Sequence, residues 1–450
     1  MSLPWRQYCL RLDDDPKARN RAIATEGFKQ GDIVARIPAL STALLPSEKG
    51  VRCDNCHRKE KKLFRCTGCA AYYYCGSECQ TYAWKTHHRH ICKQHPAWIA
   101  STKYQQLQFD DRIEAILLSH IACAAASTPS ILGAGHSPLA VMLSLLPSRA
   151  GVSATLPPLI LPPRSKRKDI DLKAVHARFR NNNFILHSHL YSFAHGIYPV
   201  ASRLFNHSCN PSASVKYILQ EGSPPIMEIV ALRNVACDEE VTIAYVDPAL
   251  PLKDRESALD TSYDFRCQCT LCTFQHKTDI PPPPDDDESR RNLSNLLLRF
   301  TGLDLSRSPP KHDLPRDFQA IPSALLPVLH PVFLPTIAEM FSESSHAGAT
   351  SRAMSLGQTL LATYLLIYPP NYPQIGMHAL EVAKTAWNGF VSGDQDLAGI
   401  GYLQATRWYL SIAHRVLHTI GEEGDPKGPL QEIETVRTLV SQEVGMFQMA

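Results

Sequence analysis

Cysteine pairs at metal-binding spacing dominate residues 53–92 of this 450-residue chain. Two residues separate the members of the first two pairs and three separate those of the third, so each pair can share one zinc ion. With a histidine and a final cysteine they give eight soft ligands, enough for two closed tetrahedral sites worth about 10–16 kcal/mol each. Because the pairs alternate, we expect interleaved sites: Cys53, Cys56, Cys75 and Cys79 on one zinc, and Cys66, Cys69, a histidine and Cys92 on the other.

The histidine of the second site must come from the stretch WKTHHRHIC, which offers three candidates. His88 lies four residues before Cys92, so the two side chains face the same side of a helix. This spacing favours His88 as the ligand and leaves His87 as the alternate.

A later cluster, in SYDFRCQCTLC, supplies three thiolates and lacks a fourth: Cys267, Cys269 and Cys272. The segment FNHSCNP, residues 205–211, contains the isolated Cys209. We expect Cys209 to complete a third zinc site and to tie its segment to the chain that follows. Spacing alone would also allow a free, buried cysteine there, as it does at three further positions: Cys9, Cys123 and Cys237.

The composition is that of a globular protein. Hydrophobic residues make up 44% of the chain and charged residues 20%, which is ample for a buried core and indicates two or three domains. The net charge is only +3 and the basic residues are spread along the chain, which disfavours binding to nucleic acid through charge. The N-terminus does not resemble a signal peptide, and no apolar run approaches the ~20 residues of a membrane helix. We therefore expect a soluble protein of the cytoplasm, the nucleus or both, where fourteen cysteines stay reduced and can bind metal.

Residues 53–92, which read CDNC, CTGC and YYYCGSECQTYAWKTHHRHIC in turn, resemble a MYND zinc finger. The resemblance includes the YC-x3-CQ pattern and Trp84 before the histidines. That family binds proline-rich peptides, so the resemblance implies an interaction module within this chain.

Three later segments, in this order, resemble a SET domain followed by a post-SET cysteine cluster: NNNFILHSHLYSFAHGIYPVASRLFNHSCNPSASV, LRNVACDEEVTIAYVD and FRCQCTLC. The stretch ARNRAIATEGFKQGDIV is similar to the first SET strands with their turn before Gly31, and YPPNYPQIGMHALEVAKTAW resembles a helical C-terminal domain. With the finger inserted, the chain is identified as a member of the SET and MYND domain lysine methyltransferase family. The implied fold class is α+β: a SET-domain β-fold interrupted by a MYND zinc finger, then a post-SET zinc site and an all-α, tetratricopeptide-like C-terminal domain.

This resemblance divides the chain into successive parts. They are the N-terminal part of the SET domain (1–52), the finger (53–92), the rest of the SET domain with a helical insertion and a Pro-rich basic surface loop at 147–169 (93–250), the post-SET segment (251–278), a Pro/Asp linker (279–295) and the helical C-terminal domain (296–450). Alternating β-branched residues predict strands at DIVARIP, IMEIVALRNV and EVTIAY. Apolar residues at three- and four-residue spacing predict helices in DDRIEAILLSHIACAAAS, PLAVMLSLL and the C-terminal domain.

The resemblance also implies roles for individual residues. Contacts with S-adenosylmethionine would come from five of them, the last stacking on the adenine: Asn182, Asn206, His207, Tyr245 and Phe265. Tyr245, which closes EEVTIAY, matches the catalytic tyrosine, and Tyr263 matches an aromatic side chain that lines the lysine channel. Glu240 and Asp238 belong to the same loop as Tyr245 and are expected to be structural.

Methyl transfer from a sulfonium to a lysine amine needs a neutral amine, although free lysine has a pKa of about 10.4. A narrow aromatic channel removes water from the ammonium and the sulfonium charge repels it, and both effects lower the lysine pKa. Alignment of nitrogen, methyl and sulfur can supply about 7–11 kcal/mol by pre-organisation. We therefore expect a monomeric enzyme with three structural zinc ions and a histone or non-histone protein substrate, without membrane or sequence-specific nucleic-acid partners.

One stretch departs from the family pattern. A glycine-containing GRG turn usually lies beside the methionine end of the cofactor, whereas this chain has Arg19, Asn20 and Arg21. Long side chains there could crowd the pocket, because glycine permits a close backbone approach, or an arginine could pair with the cofactor's carboxylate. The alternative function is therefore a weak or inactive SET-fold protein that acts as a zinc-finger scaffold for proline-rich partners.

Overall fold

The computed structural model describes residues 4–15, 19–127, 137–148, 155–303, 318–393 and 399–449. Residues 149–154 of the predicted surface loop and 304–317 of the predicted C-terminal domain lie outside the described residues. Within the described residues, no single helix is both long and apolar enough to cross a membrane. Only the pair Ser323–Leu329 and Phe333–His346, bent by 68°, would reach the required length and composition together.

The strands are short, and in chain order they are β1 Leu10–Asp15, β2 Arg19–Ala24, β3 Ile33–Pro38, β4 Ser41–Leu44, β5 Phe64–Arg65, β6 Tyr73–Tyr74, β7 Asn183–Ser188, β8 Tyr191–Ile197, β9 Asn206–His207, β10 Ala213–Ile218, β11 Ile226–Ala231 and β12 Thr242–Ile243. Two three-stranded antiparallel sheets, ordered β10-β11-β3 and β4-β8-β7, form the centre of the SET half. The central strand β11 is buried at five of its six positions, which agrees with its sequence IMEIVA, where Glu228 is the one charged residue.

The helices in chain order are α1 Ser77–Ala83, α2 Arg89–Ile91, α3 His95–Ile99, α4 Thr102–Gln105, α5 Phe109–Ser127, α6 Pro138–Ser144, α7 Leu172–His176, α8 Pro199–Leu204, α9 Leu252–Tyr263, α10 Thr270–Lys277, α11 Asp287–Thr301, α12 Phe333–His346, α13 Thr350–Ile367, α14 Pro373–Val391, α15 Gly399–Ile420 and α16 Pro429–Met449. In the finger, a π-helical turn at Trp84–His88 joins α1 to α2. In the C-terminal domain consecutive helices from α12 to α16 pack against one another. Gly376 lets α14 approach α15, because a Cβ there would lie only 2.6 Å from Leu417 Cγ.

A short parallel pair positions the FNHSCNP segment. Asn206 and His207 form β9 and pair with Thr242 and Ile243 of β12. This pair places the NHSC motif beside the EEVTIAY motif, although the two lie more than thirty residues apart in sequence. Upstream, Gly31 has φ +88° in the turn before β3, a left-handed conformation that glycine adopts without steric cost.

The predicted fold class is confirmed: a mixed helix-and-strand half with the inserted finger precedes an all-helical C-terminal domain. Two predicted segments differ in detail. The linker predicted at 279–295 gives way to α11 at Asp287, because the side chain of Asp286 accepts a hydrogen bond from Ser289 N (2.8 Å) and caps the helix. The described part of the loop at 147–169 is not wholly at the surface, since Ile160 is buried and its N–H donates to Ser119 Oγ (3.0 Å).

Candidate active site and zinc centres

The first zinc-binding group lies between the finger's N-terminal loop and α1. Its four sulfur atoms lie within 4.8 Å of one another: Cys53, Cys56, Cys75 and Cys79. The Sγ atoms of Cys56 and Cys75 are 3.6 Å apart and those of Cys75 and Cys79 are 3.5 Å apart. Four thiolates around a tetrahedral zinc at about 2.3 Å would be about 3.8 Å apart, so the group fits the ion. The N–H of Gly222, from the SET half, donates to Cys79 Sγ (3.2 Å) and supports the site from outside.

The second group settles which histidine joins the finger's cysteines. Its ligand atoms also lie within 4.8 Å of one another: Cys66, Cys69, His88 and Cys92. His88 Nε2 is 3.3 Å from Cys66 Sγ and 3.7 Å from Cys69 Sγ. The His87 ring instead packs against His120, with ring centroids 4.3 Å apart. The structure therefore places His88, and not the alternate His87, in this group.

The third group joins the FNHSCNP segment to the post-SET segment. It consists of Cys209, Cys267, Cys269 and Cys272. Cys209 Sγ is 3.6 Å from Cys272 Sγ, and the buried Arg255 guanidinium donates to Cys272 Sγ at 3.6 Å. Cys209 also belongs to the hydrophobic core of the C-terminal domain, so this group lies where the SET half and that domain meet. The three remaining cysteines, Cys9, Cys123 and Cys237, belong to none of the groups among the described residues.

The side chain of His207 connects this third group to β12. Its Nδ1 accepts a hydrogen bond from the backbone N–H of Tyr245 (2.9 Å). A neutral imidazole then carries its proton on Nε2, which lies 3.2 Å from Cys209 Sγ and donates to it. One ring thus holds a zinc-ligating sulfur on one side and the backbone of the predicted catalytic tyrosine on the other.

Four rings meet beside this histidine, and we call them the ring group: His207, Tyr245, Tyr263 and Phe265. The ring centroids of Tyr245 and Tyr263 are 4.8 Å apart, and the His207 centroid is 5.4 Å from Tyr245 and 6.0 Å from Phe265. All four side chains are only partly buried. The group therefore presents aromatic faces that a flat ligand or an alkyl chain could contact.

The Tyr245 hydroxyl has a fixed orientation within the ring group. It donates to the backbone carbonyl of Phe205 (2.6 Å). Burial, with Tyr263 and Glu240 adding to it, raises the pKa of the Tyr245 phenol above its usual value. At neutral pH the phenol is therefore protonated, so it serves as a hydrogen-bonding group and not as a strong base.

Asn206 is held by two partners, Asn20 on β2 and Glu240 just before β12. Its side-chain NH2 donates to the carbonyl of Asn20 (2.8 Å) and to Glu240 Oε1 (2.8 Å). Burial raises the pKa of Glu240, while the hydrogen bond from Asn206 and the charge of Arg21 act in the opposite direction. Glu240 therefore positions the side chain of Asn206, and its structural role stays a prediction.

Comparisons with known proteins agree with this architecture. A family model described as the MYND finger matches residues 53–92. The N-lysine methyltransferase SMYD2-A of Danio rerio is 27% identical over 282 residues, which cover 57% of this chain and 58% of that protein. The histone-lysine N-methyltransferase SMYD3 of Homo sapiens is 24% identical over 380 residues, which cover 82% of this chain and 86% of that protein. The finger match and these relatives support the assignment of the chain to the SET and MYND domain family.

The extent of these likenesses varies. The chain spans 58% of the length of the zebrafish relative but 86% of the human one. A solved structure described as the SET domain of LSMT bound to lysine and AdoHcy matches with a TM-score of 0.28 and 11% identity, covering 97% of this chain and 91% of that one. A TM-score this low adds no support to the assignment.

The departure from the family's glycine turn causes no backbone strain. Asn20 and Arg21 lie in the extended strand β2, opposite Asp14 and Asp13, and neither has a positive φ. The buried Asn20 side chain has partners on both sides, since its amide donates to Asp14 Oδ1 (2.8 Å) and its Oδ1 accepts from the Arg203 guanidinium of α8 (2.5 Å). Arg21 pairs with Asp15 at 3.2 Å. The described side chains at this turn are therefore held within the β1–β2 hairpin or buried.

Two residues of the predicted loops remain apart from the ring group. The hydrogen bonds of Asn182 run to Arg178 O (2.7 Å) and Asn181 Oδ1 (3.0 Å), so they stay within its own segment. Asp238 forms a salt bridge with Arg11 (2.6 Å) at the surface. Asn182 as a cofactor contact therefore stays a prediction from the resemblance.

The C-terminal domain also contacts the site, which the sequence did not indicate. The Tyr368 hydroxyl donates to Asp247 Oδ2 (3.2 Å), two residues after Tyr245. Asn371, at φ +57°, donates through its side chain to the carbonyl of Leu232 (2.8 Å). Sequence reasoning likewise missed the link through the His207 side chain. The i, i+2 spacing of His207 and Cys209 could have indicated it, because such side chains share a face of an extended segment.

Proposed function

We propose that this protein transfers a methyl group from S-adenosylmethionine to the side-chain amine of a lysine in a protein substrate. The observation that carries the proposal is the ring group, in which a protonated, oriented Tyr245 lies directly beside the Asn206–His207 pair. The relatives SMYD2-A and SMYD3, which are lysine methyltransferases by name, support the same reaction.

The residues at this site fit the expected cofactor. The phenyl ring of Phe265 can stack on an adenine, and Asn206 and His207 offer backbone groups and a carboxamide for its polar edge. Tyr245 and Asn182 would complete the contacts. When bound, S-adenosylmethionine supplies a methyl group on a positively charged sulfur.

The aromatic side chains would prepare the lysine for the reaction. Tyr245 and Tyr263, with ring centroids 4.8 Å apart, would exclude water from an amine lying between the pocket and the surface. Loss of hydration disfavours the ammonium form, so the amine releases its proton more readily than in water. The phenol oxygen of Tyr245 donates its proton to Phe205 and keeps lone pairs that can accept a hydrogen bond from the amine, which orients the nitrogen.

The three zinc groups would act structurally. Each provides four protein ligands, which leaves no open position on a tetrahedral ion for substrate or water. The third group would hold the post-SET segment, and with it Phe265, against the NHSC motif.

The test begins with calorimetric titration of zinc-loaded protein with S-adenosylmethionine. Wild-type protein and the exposed control Asn388→Ala should bind, whereas Asn206→Ala should lose at least about tenfold in affinity, because the carboxamide bonded to Asn20 and Glu240 is removed. Absence of binding by the wild type would contradict the proposal and favour the scaffold alternative.

A transfer assay with radiolabelled cofactor and a lysine-containing protein extract then tests the chemistry. Tyr245→Phe should bind the cofactor but lower the transfer rate by about a hundredfold, within the usual range for a positioned catalytic hydroxyl. Tyr82→Phe, at an exposed tyrosine on the finger, should transfer at the wild-type rate. Equal rates for the two variants would show that the Tyr245 hydroxyl has no part in the reaction.

The finger is a protein-interaction domain, and we propose a proline-rich peptide as its partner. Tyr82 and Trp84 support this, because their side chains are 40% and 48% exposed on the finger surface. A labelled decaproline peptide should bind the wild type and the Phe109→Ala control, which removes an exposed aromatic residue elsewhere, but should bind Trp84→Ala about tenfold more weakly. Equal binding by both variants would refute this partner.

We also propose that the chain is monomeric and resides in the cytoplasm, the nucleus or both. All fourteen cysteines lie among the described residues and all are free, as zinc binding in a reducing compartment requires. Light scattering should give the mass of one chain, and the mass of a dimer would contradict the first proposal. A fluorescent fusion should appear in the cytoplasm, the nucleus or both, and a secreted fusion would contradict the second.

A further inference from the structure

A cavity of about 470 Å³ lies away from the ring group, where the SET half, the finger and the C-terminal domain meet. Its walls come from the end of β10, from α14 and α15, from the segment 421–428 that connects α15 to α16, and from the first residues of α16. Its lining includes six large apolar side chains: Ile218, Leu219, Met377, Leu417, Ile420 and Leu430. Volume and lining are those of a site for a small organic ligand.

The segment 421–428, which we call the clasp, is fixed along the SET sheet. Gly424 N donates to the carbonyl of Tyr217 (2.7 Å), and Gly424 bridges Ile218 as a parallel extension at the edge of β10. The ammonium of Lys216 donates to the carbonyls of Ile420 (2.7 Å) and Glu422 (3.1 Å). The cavity wall is therefore formed before any ligand arrives.

The clasp is also bonded to the finger. Asp425 accepts two hydrogen bonds from the Arg52 guanidinium (3.0 and 2.7 Å) and a third from the backbone N–H of Lys59 (2.9 Å). Its own N–H donates to Ser188 Oγ (2.9 Å). With these contacts, one short segment ties three parts of the chain to a common cavity.

One charged group of the cavity wall is available to a ligand. Glu423 Oε1 accepts the backbone N–H of His189 (2.8 Å), and within the described residues no lysine, arginine or histidine lies at ion-pair distance from this carboxylate. Burial raises the pKa of Glu423 to about 7, although the His189 N–H and the charge of Lys216 oppose this. A cation bound in the cavity would offset the free-energy cost of burying this carboxylate in its charged form.

Among the described residues, the other charged groups around the cavity already have partners or lie at the surface, and burial lowers the pKa of the lining His189, so that its ring is neutral at pH 7. Arg58 pairs with Glu60 (3.0 Å) and Lys216 with Glu228 (3.3 Å). Asp425 is engaged by Arg52, and two further lining residues are exposed to solvent: Glu422 and Lys427. Glu423 is thus the group that sets the charge preference, and it disfavours an anion.

We propose that this cavity binds a small organic cation, with an apolar ring or chain against the aliphatic wall and an ammonium group on the Glu423 carboxylate. The proposal needs neither the ring group nor the proposed methyl transfer. It identifies a second ligand site that touches the SET half, the finger and the C-terminal domain at once.

Calorimetry on full-length, zinc-loaded protein tests this proposal with three probes that share a phenyl ring on a four-carbon chain and differ in their end group. They are 4-phenylbutylamine, 4-phenylbutan-1-ol and 4-phenylbutanoate. The amine should bind about tenfold more tightly than the alcohol, and the acid should bind most weakly, because only the amine is attracted to the carboxylate. Equal affinities for the three, or no binding of the amine at about 1 mM, would overturn the proposal.

Two matched variants identify the group responsible. Glu423→Gln should reduce amine affinity to that of the alcohol, whereas Glu422→Gln, which removes the same charge at the exposed neighbour, should retain the wild-type preference. Amine affinity that is unchanged in Glu423→Gln would refute the assignment.

A third variant locates the site. Met377→Trp should fill part of the cavity and weaken binding of all three probes, while thermal unfolding verifies that the variant is folded. If a folded Met377→Trp protein still binds the amine as the wild type does, the amine occupies another pocket, such as the one at the ring group, and the proposal is wrong.

Discussion

Cys209→Ser tests how the third zinc group supports the active site. Of its four ligands, three come from the post-SET segment and only Cys209 comes from the SET half, so this one sulfur joins the two. Structural zinc contributes about 10–16 kcal/mol at neutral pH, or about 2.5–4 kcal/mol for each of four ligands. A serine hydroxyl remains protonated and does not replace the thiolate. We therefore expect zinc at this group to bind about a hundredfold to a thousandfold more weakly.

Two further consequences follow from the geometry. His207 Nε2 would lose its acceptor, Cys209 Sγ at 3.2 Å, and Phe265 would no longer be anchored through the neighbouring Cys267. S-adenosylmethionine affinity should therefore fall together with the zinc content, although the substitution touches neither the ring faces nor Asn206.

The assay is metal analysis after dialysis against a chelator that leaves the wild type with three zinc ions per chain. Cys209→Ser should retain two, and calorimetry on the same sample should show weakened cofactor binding. Cys237→Ser, which changes an exposed cysteine outside the three groups, should retain three ions and full affinity. Three tightly held ions in Cys209→Ser would refute the inferred ligand set, and loss of zinc without loss of cofactor binding would refute the proposed coupling.

Further predictions concern the clasp and the domain contacts. Asp425→Asn should lower the free energy of unfolding by about 1–3 kcal/mol, because Arg52 is only 3% exposed and loses a charged partner; Glu422→Gln should have no effect. The pKa of Asp425 is lowered, because Arg52 and a backbone N–H outweigh the effect of burial. The stabilisation by Asp425 should therefore be present above a pH of about 3.9 and disappear as the pH falls further. The same loss of unfolding free energy on acidification in Asp425→Asn and in the wild type would contradict this. Glu423 should act in the opposite direction, because its pKa is raised to about 7. Its contribution to the free energy of unfolding is fully present below a pH of about 4.3 and is lost as the pH rises to 7. In calorimetric scans, the unfolding free energy of Glu423→Gln should therefore vary less with pH than that of the wild type. In denaturant titrations, Asn371→Ala should lower the free energy of unfolding by about 1–3 kcal/mol, and Asn371→Gly should lower it less. Both variants lose the hydrogen bond to Leu232, but only glycine adopts φ +57° freely. Equal losses would show that the backbone conformation contributes nothing to stability.

The sequence by itself determined the features that depend on local spacing. Cysteines two or three residues apart must lie close together, so the zinc ligands could be grouped before the fold was known, and His88 could be preferred from its helical spacing to Cys92. Apolar periodicity likewise located α5 and α13–α16, because helix formation follows from a buried stripe that recurs at a fixed interval.

Only the tertiary structure decided the contacts between distant segments. Nothing in the sequence indicates that Arg52 meets Asp425 across 373 residues, that Glu240 holds Asn206, or that Glu423 lines a cavity shared by three parts of the chain. Such contacts depend on how whole elements dock, and docking is set by the complementary shapes of buried surfaces and not by the periodicity of any one segment. The zinc-ligand groups could thus be predicted from local spacing and the proposed cofactor and catalytic residues from the family resemblance, whereas the groups that position them required the fold.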